Sequence, residues 1–137
     1  MTERLALRIT NALSAIPPAT EQATAWLEDR GAPASAVFLV ELIVEELVSN
    51  CVKFAYADGD THVIDLEVIL SDAILTVMVV DDGLPFDPLA APQPDTSLNL
   101  EERSIGGLGL HLLRMLSDEI TYERQGDKNC LVVTKRF

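Results

Sequence analysis

The sequence predicts an α/β (α+β) two-layer sandwich, in which about three helices cover one face of a mixed, mostly antiparallel sheet. Two observations carry this prediction. Segments with strand periodicity occur as neighbouring pairs joined by short turns, the pattern of antiparallel hairpins. Segments with helical periodicity each have an apolar stripe that must be buried, and a sheet is the available partner. With 137 residues, 48% of them hydrophobic, the chain is expected to form a single domain over 1–137.

The first 57 residues predict one strand followed by two helices. Residues 3–10 alternate between apolar and polar side chains, as a strand does. Pro17-Pro18 interrupts the chain, and a helix is predicted from Thr20 to Gly31. A long helix is predicted from about 36 to 57, because apolar residues recur at spacings of three and four. The residues of this stripe are Val37, Val40, Val44, Leu47, Cys51 and Phe54. All six, Phe54 included, are therefore predicted to belong to the core.

The second half of the chain predicts two hairpins separated by a loop and a helix. Residues 64–70 and 74–80 form the first hairpin, and the second of these strands is apolar enough to be central. Four prolines and the loss of periodicity predict a lid or binding loop over about 84–105. The glycine-rich run 106–109 precedes the third helix, and a final hairpin lies within 120–137.

Composition excludes several classes of function. A net charge of −12 argues against a surface that binds nucleic acid or an anionic membrane directly. A protein this acidic can still bind a nucleotide if Mg²⁺ and a few cations supply local positive charge. No signal segment and no apolar run near 18 residues are present, so the cytoplasm is expected. Cys51 and Cys130 are expected to be reduced and buried.

Three short stretches combine groups that could handle a phosphorylated ligand. Glu46, Asn50 and Lys53 lie on one side of the long helix, where they could hold a metal-bound phosphate and accept a proton; a solvated helix face is the alternative. Asp81-Asp82-Gly83 follows an apolar strand and by itself would be a turn. The amides of 106–109 could cradle phosphates, although alone this run is more typical of a hinge.

Taken together and in order, these stretches resemble the nucleotide-binding boxes of the Bergerat-fold (GHKL) ATPases. Residues 46–50 match the asparagine box, 81–83 the first glycine box and 107–109 the second. The sequence is more similar still to the anti-sigma-factor serine/threonine kinases of the RsbW type, through residues 50–56, 82–88 and the Gly-Gly-Leu-Gly-Leu-His run. This resemblance spans nearly the whole chain.

The resemblance implies a role for each matching residue. Asn50 would ligate a Mg²⁺ ion that bridges the phosphates of ATP, and Asp81 would accept the adenine amine. Gly83 would let the backbone approach the base, and Glu46 would be the catalytic base for a serine or threonine hydroxyl. The remaining implied contacts with ATP are Lys53, Arg103, Gly107, Leu108 and Gly109.

The function implied is an ATP-dependent serine/threonine kinase that phosphorylates an anti-sigma factor antagonist of the STAS type. It would also sequester a sigma factor and form a homodimer. The alternative is a nucleotide-dependent protein-binding switch without kinase activity. A histidine kinase or a mismatch-repair ATPase is disfavoured, because about 35 residues precede the long helix and the chain stops soon after the last hairpin. Phe54 and Pro85 stand where the family often has histidine and glycine, which puts lid closure in question more than nucleotide binding.

Overall fold

The described part of the backbone forms one five-stranded sheet with helices packed on one of its faces. The structure, a computed structural model, describes residues 2–90 and 107–137. The strands are β1 (Thr2–Thr10), β2 (Val63–Ser71), β3 (Ile74–Asp81), β4 (Glu119–Gln125) and β5 (Lys128–Arg136). The helices are α1 (Ile16–Asp29), α2 (Ala34–Ile43) and α3 (Gly107–Leu116), with short 3₁₀ turns at Leu13–Ala15 and Pro88–Ala90.

The strand order is β1-β2-β3-β5-β4, and every described pair is antiparallel. The predicted α/β two-layer class is confirmed, and β3 is the middle strand, as predicted. Alternate residues of β3 are buried, from Leu75 to Asp81, whereas those between them are partly exposed. Helices therefore cover one face of the described sheet, and the core lies between that face and the helices.

The long helix is continuous from Ala34 to Ala55, but it is not α-helical throughout. After α2 it widens into π-helical turns at Val44–Val48 and at Cys51–Ala55. Its buried residues explain the widening, because one row recurs every four residues: Ile43, Leu47, Cys51 and Ala55. In a pure α-helix each step of four would advance this row by about 40° and carry it away from the core. The wider π turns reverse that drift and keep the row facing the sheet.

The first helix begins earlier than the sequence predicts. It starts at Ile16, with the proline pair in its first turn, where a missing N–H costs nothing. Thr20, expected near the start, instead lies inside the helix, and its hydroxyl donates to the carbonyl oxygen of Ile16 at 3.0 Å. The prediction was wrong here because proline breaks a helix interior but suits a helix start.

Phe54 corrects a second prediction. The apolar spacing placed it in the core, yet it is 44% exposed, and its ring packs on Phe86 with the centroids 5.8 Å apart. The π turn at Cys51–Ala55 changes the phase of the helix, so Ala55 occupies the buried position instead. Both cysteines are free and buried, as expected. In the part of the chain that the structure describes, none of the helices could span a membrane.

Candidate functional site

The fold brings the three predicted stretches together at one end of the sheet. The Cys51 thiol, one residue beyond Asn50, donates a hydrogen bond to Asp81 Oδ2 at 3.2 Å. From the first turn of α3, the Cα of Gly109 lies against the Glu46 carboxylate, so closely that a Cβ at Gly109 would overlap it. The asparagine box therefore contacts the second glycine box, and the residue directly after it contacts the first, although the three stretches are far apart in sequence.

Asp81 is the most constrained of the predicted site residues. Its side chain is 3% exposed, and Oδ1 accepts hydrogen bonds from the Gly83 amide and from Asn129 Nδ2, both at 2.9 Å. Burial, and next the Asp81 carboxylate, raise the pKa of the Cys51 thiol well above its usual range. That thiol therefore stays protonated and donates to Oδ2. Asp81 is thus a buried acceptor whose orientation is set by three donors.

Gly83 lies where the backbone of the first glycine box approaches the long helix. A Cβ at this position would come within 2.5 Å of the Ala55 carbonyl oxygen, which already accepts a hydrogen bond from the Leu84 amide at 2.7 Å. Arg124 Nη1 donates to the Gly83 carbonyl oxygen at 2.8 Å. Only a glycine permits this close approach to the long helix, and the contact of Gly83 with a base stays a prediction.

Glu46 has the environment of a proton acceptor. Partial burial raises its pKa above the usual value; Lys53 opposes this shift, and Glu45 adds to it. A carboxylate with a raised pKa holds a transferred proton more readily at neutral pH than an ordinary one. Lys53 itself is exposed, and its positive charge opposes the rise in the pKa of Glu46.

The other predicted site residues are placed less completely. Asn50 is 6% exposed and lies between the two π turns. Gly107 and Leu108 begin the backbone of α3, and nothing is described of the Leu108 side chain. Arg103 lies outside the described residues, as does most of the predicted lid. The roles of all these residues in nucleotide binding remain predictions.

Two residues of the site were missed from sequence. Asn129 is 2% exposed and pairs across the sheet with Asp81, a contact that only the β3–β5 register reveals. His62 is the second, and the sequence did not indicate its partners. Its ring contacts Asp58 at 2.8 Å and Asp82 at 3.2 Å, and it stacks on Tyr56 with the centroids 4.3 Å apart. For Asn129, the signal available in the sequence was a polar residue at the start of an otherwise apolar strand.

The described residues fit a nucleotide bound together with a metal ion. Asp81 offers a buried acceptor at the close backbone approach of Gly83, which suits a base bearing an amine. Within residues 2–90 and 107–137 no group of three or more His, Cys, Asp or Glu side chains could hold a metal ion. A Mg²⁺ ion at Asn50 would therefore take most of its ligands from phosphates and water, as Mg²⁺ commonly does.

Comparison with known proteins identifies the family. Residues 9–135 match the histidine kinase-like ATPase domain, so the chain belongs to that family. It is 28% identical over 127 residues to the serine/threonine-protein kinase BtrW of Bordetella bronchiseptica, a match that covers 89% of each chain. It is 32% identical over 85 residues to the serine-protein kinase RsbW of Listeria monocytogenes, with 59% of this chain and 54% of the relative covered.

Two further comparisons agree with this assignment. The chain is 29% identical over 99 residues to the anti-sigma F factor of Caldanaerobacter subterraneus, which covers 72% of this chain and 68% of the relative. A crystal structure of the RsbU and RsbW domains of a Mycobacterium tuberculosis protein superposes with a TM-score of 0.70 at 19% identity. That match covers 98% of this chain and 32% of the other. The resemblance to RsbW-type proteins drawn from the sequence is confirmed.

Proposed function

We propose that this protein is an ATP-dependent serine/threonine kinase that phosphorylates a protein partner. The observation that carries the proposal is the position of Glu46. A half-buried carboxylate with a raised pKa lies against the first turn of α3 and within the influence of Lys53, on the helix that also contacts Asp81. Nucleotide binding alone requires no such base. The kinase names of two relatives support the same activity.

In the proposed reaction, ATP supplies the γ-phosphoryl group, and the chain positions the reactants and accepts a proton. Asp81 would orient the adenine ring, and Asn50 would contribute one oxygen ligand to a Mg²⁺ ion that neutralises phosphate charge. A bond forms between the partner's hydroxyl oxygen and the γ-phosphorus, while the bond from the γ-phosphorus to the oxygen shared with ADP breaks. Glu46 receives the hydroxyl proton. Positioning and neutralisation of charge supply most of the rate enhancement in phosphoryl transfer.

The partner that we propose is an anti-sigma factor antagonist of the STAS type, with a sigma factor as a second partner. The anti-sigma F factor among the relatives supports this assignment. We further propose a cytoplasmic homodimer that forms one ATP site in each copy, with the lid over about 84–105 and Arg103 near the γ-phosphate. Co-purification with a candidate antagonist in the presence and absence of MgATP tests the pairing.

Titration calorimetry with MgATP tests the nucleotide site. Asp81→Asn replaces one acceptor oxygen with a donor, so ATP affinity should fall by at least about tenfold, the loss expected when a buried hydrogen bond becomes a donor–donor contact. Asp82→Asn is the matched control, because it makes the same change at the exposed neighbour and should bind ATP as the parent does. Equal affinities in the two variants would contradict the role of Asp81.

A phosphate-transfer assay with an antagonist protein distinguishes a kinase from a nucleotide-dependent switch without kinase activity. Glu46→Gln keeps the shape of the side chain but removes the base, so the transfer rate should fall by about 10²–10⁴-fold while ATP affinity changes little. Glu45→Gln makes the same change one residue away, at an exposed position, and should retain the parent rate. If Glu46→Gln transfers phosphate normally, or if the parent binds ATP without transferring it, the kinase proposal fails and the switch is favoured.

A further inference from the structure

Asn129 makes four side-chain hydrogen bonds, and three of them lead to the first glycine box or to the residues directly after it. Its Nδ2 donates to Asp81 Oδ1 at 2.9 Å and to the Leu84 carbonyl oxygen at 2.8 Å. Its Oδ1 accepts from the Tyr122 hydroxyl at 2.5 Å and from the Phe86 amide at 3.3 Å. The two acceptors on one side and the two donors on the other leave a single orientation for the amide.

This set of contacts uses the full capacity of the Asn129 amide. A carboxamide has two N–H donors and two acceptor lone pairs, and here each of the four has a partner within the chain. Asn129 is also 2% exposed. It therefore has nothing left to offer a ligand directly, and any effect on a bound nucleotide must pass through its partners.

Among the described residues, the same count applied to Asp81 leaves one acceptor direction without a donor. A carboxylate offers about four acceptor directions. Oδ1 receives the Gly83 amide and Asn129 Nδ2, and Oδ2 receives the Cys51 thiol. The remaining direction is on Oδ2, so it can take one more donor. An amine such as that of adenine supplies that donor, whereas a carbonyl oxygen at the same place, as in guanine, would face a carboxylate and be repelled.

We propose that Asn129 is a positioning residue for nucleotide specificity, a role that rests on the proposed ATP site. By saturating Oδ1, it restricts the base to the single opening on Oδ2. By holding Leu84 and Phe86, it ties the first residues after the glycine box to the same carboxylate. Recognition of the base and the start of the predicted lid thus depend on one buried amide.

The test compares MgATP with MgGTP by calorimetry on the full chain and on Asn129→Asp. This substitution keeps the shape and the acceptor side, but it replaces the donor to Asp81 with a repelling oxygen. ATP affinity should fall at least tenfold, and the preference for ATP over GTP should fall by a similar factor. Asn11→Asp is the matched control, since Asn11 also bridges two backbone groups, at His62 and Asp60, without contacting Asp81. It should keep the parent preference.

A parent-like preference in folded Asn129→Asp would overturn the proposal. So would an equal loss of both affinities, because that result indicates general damage to the fold. Urea unfolding establishes whether the variant is folded, and if it is not, Tyr122→Phe decides. That variant removes only the donor to Asn129 Oδ1, and it should lower the preference two- to fivefold; an unchanged preference overturns the proposal. If the parent itself binds no MgATP, the proposed function fails, and this inference fails with it.

Discussion

One step along the chain separates two carboxylates with different tasks. Asp81 is the last residue of β3 and points toward the helices, where it is buried among donors. Asp82 follows on the opposite side, is exposed, and contacts the ring of His62. Alternation along an extended backbone accounts for this division.

The charge of His62 should make part of the stability depend on pH. Hydrogen bonding to Asp58, and then to Asp82, raises its pKa above the usual 6.5, although desolvation opposes the shift. Because the pKa of His62 is higher in the folded state, its contribution to the free energy of unfolding is fully present below the unfolded-state pKa. That contribution is lost as the pH rises through the folded-state pKa. The backbone amide of Asp60 and the His62 ring lower the pKa of Asp58 below 3.8. The contribution of Asp58 to stability is therefore present above pH 3.8 and is lost as the pH falls through the lowered pKa.

The expected result is a stability difference between parent and His62→Gln that is largest between about pH 4 and 6.5 and shrinks above that range. Thermal unfolding across pH 5 to 9 measures it. The same substitution in an Asp58→Asn background is the control and should show a smaller trend, because the main hydrogen-bond partner of the ring is then neutral. A difference that grows with pH would contradict the assigned pairing.

At the scale of the element, the long helix shows why its apolar stripe was predicted only in part. Spacings of three and four identify a helix, and four residues of the predicted stripe are buried: Val40, Val44, Leu47 and Cys51. They could not reveal the π turns, since hydrogen bonds from residue i to i+5 leave little trace in residue type. The row Ile43, Leu47, Cys51 and Ala55, with its steps of four, was the signal available. A spacing of four residues places Ala55, rather than Phe54, as the next buried residue after Cys51.

Two substitutions in this helix should differ in cost. Leu47→Ala removes a side chain that is 1% exposed, and about 2–5 kcal/mol of unfolding free energy should be lost. Phe54→Ala should lose only about 0.5–1.5 kcal/mol, the value of an aromatic pair, because its ring is partly exposed and packs mainly on Phe86. Urea denaturation measures the loss of unfolding free energy in both variants. Equal losses would mean that Phe54 contributes to the core as much as Leu47 does.

For the molecule as a whole, the sequence predicted the class of fold and the order of the elements, because hairpin and helix periodicities are local properties. The neighbourhood of Asp81 could not be predicted in the same way. Asn129 reaches it through strand register, and Cys51 through the packing of the long helix on the sheet. Similarly, His62 meets Asp82 across 20 residues of sequence. Contacts between distant segments depend on the assembled structure, and a single sequence carries no direct record of them.

The position of β5 in the sheet has a consequence for synthesis. This strand follows every other described element in the chain, yet it lies between β3 and β4. While the nascent chain leaves the ribosome, the edge of β3 therefore remains unpaired until residues 128–136 emerge. Such an edge is exposed to association with other chains, and pairings this distant form slowly. Because Asn129 belongs to β5, the buried carboxylate cannot acquire its final environment before that strand is in place.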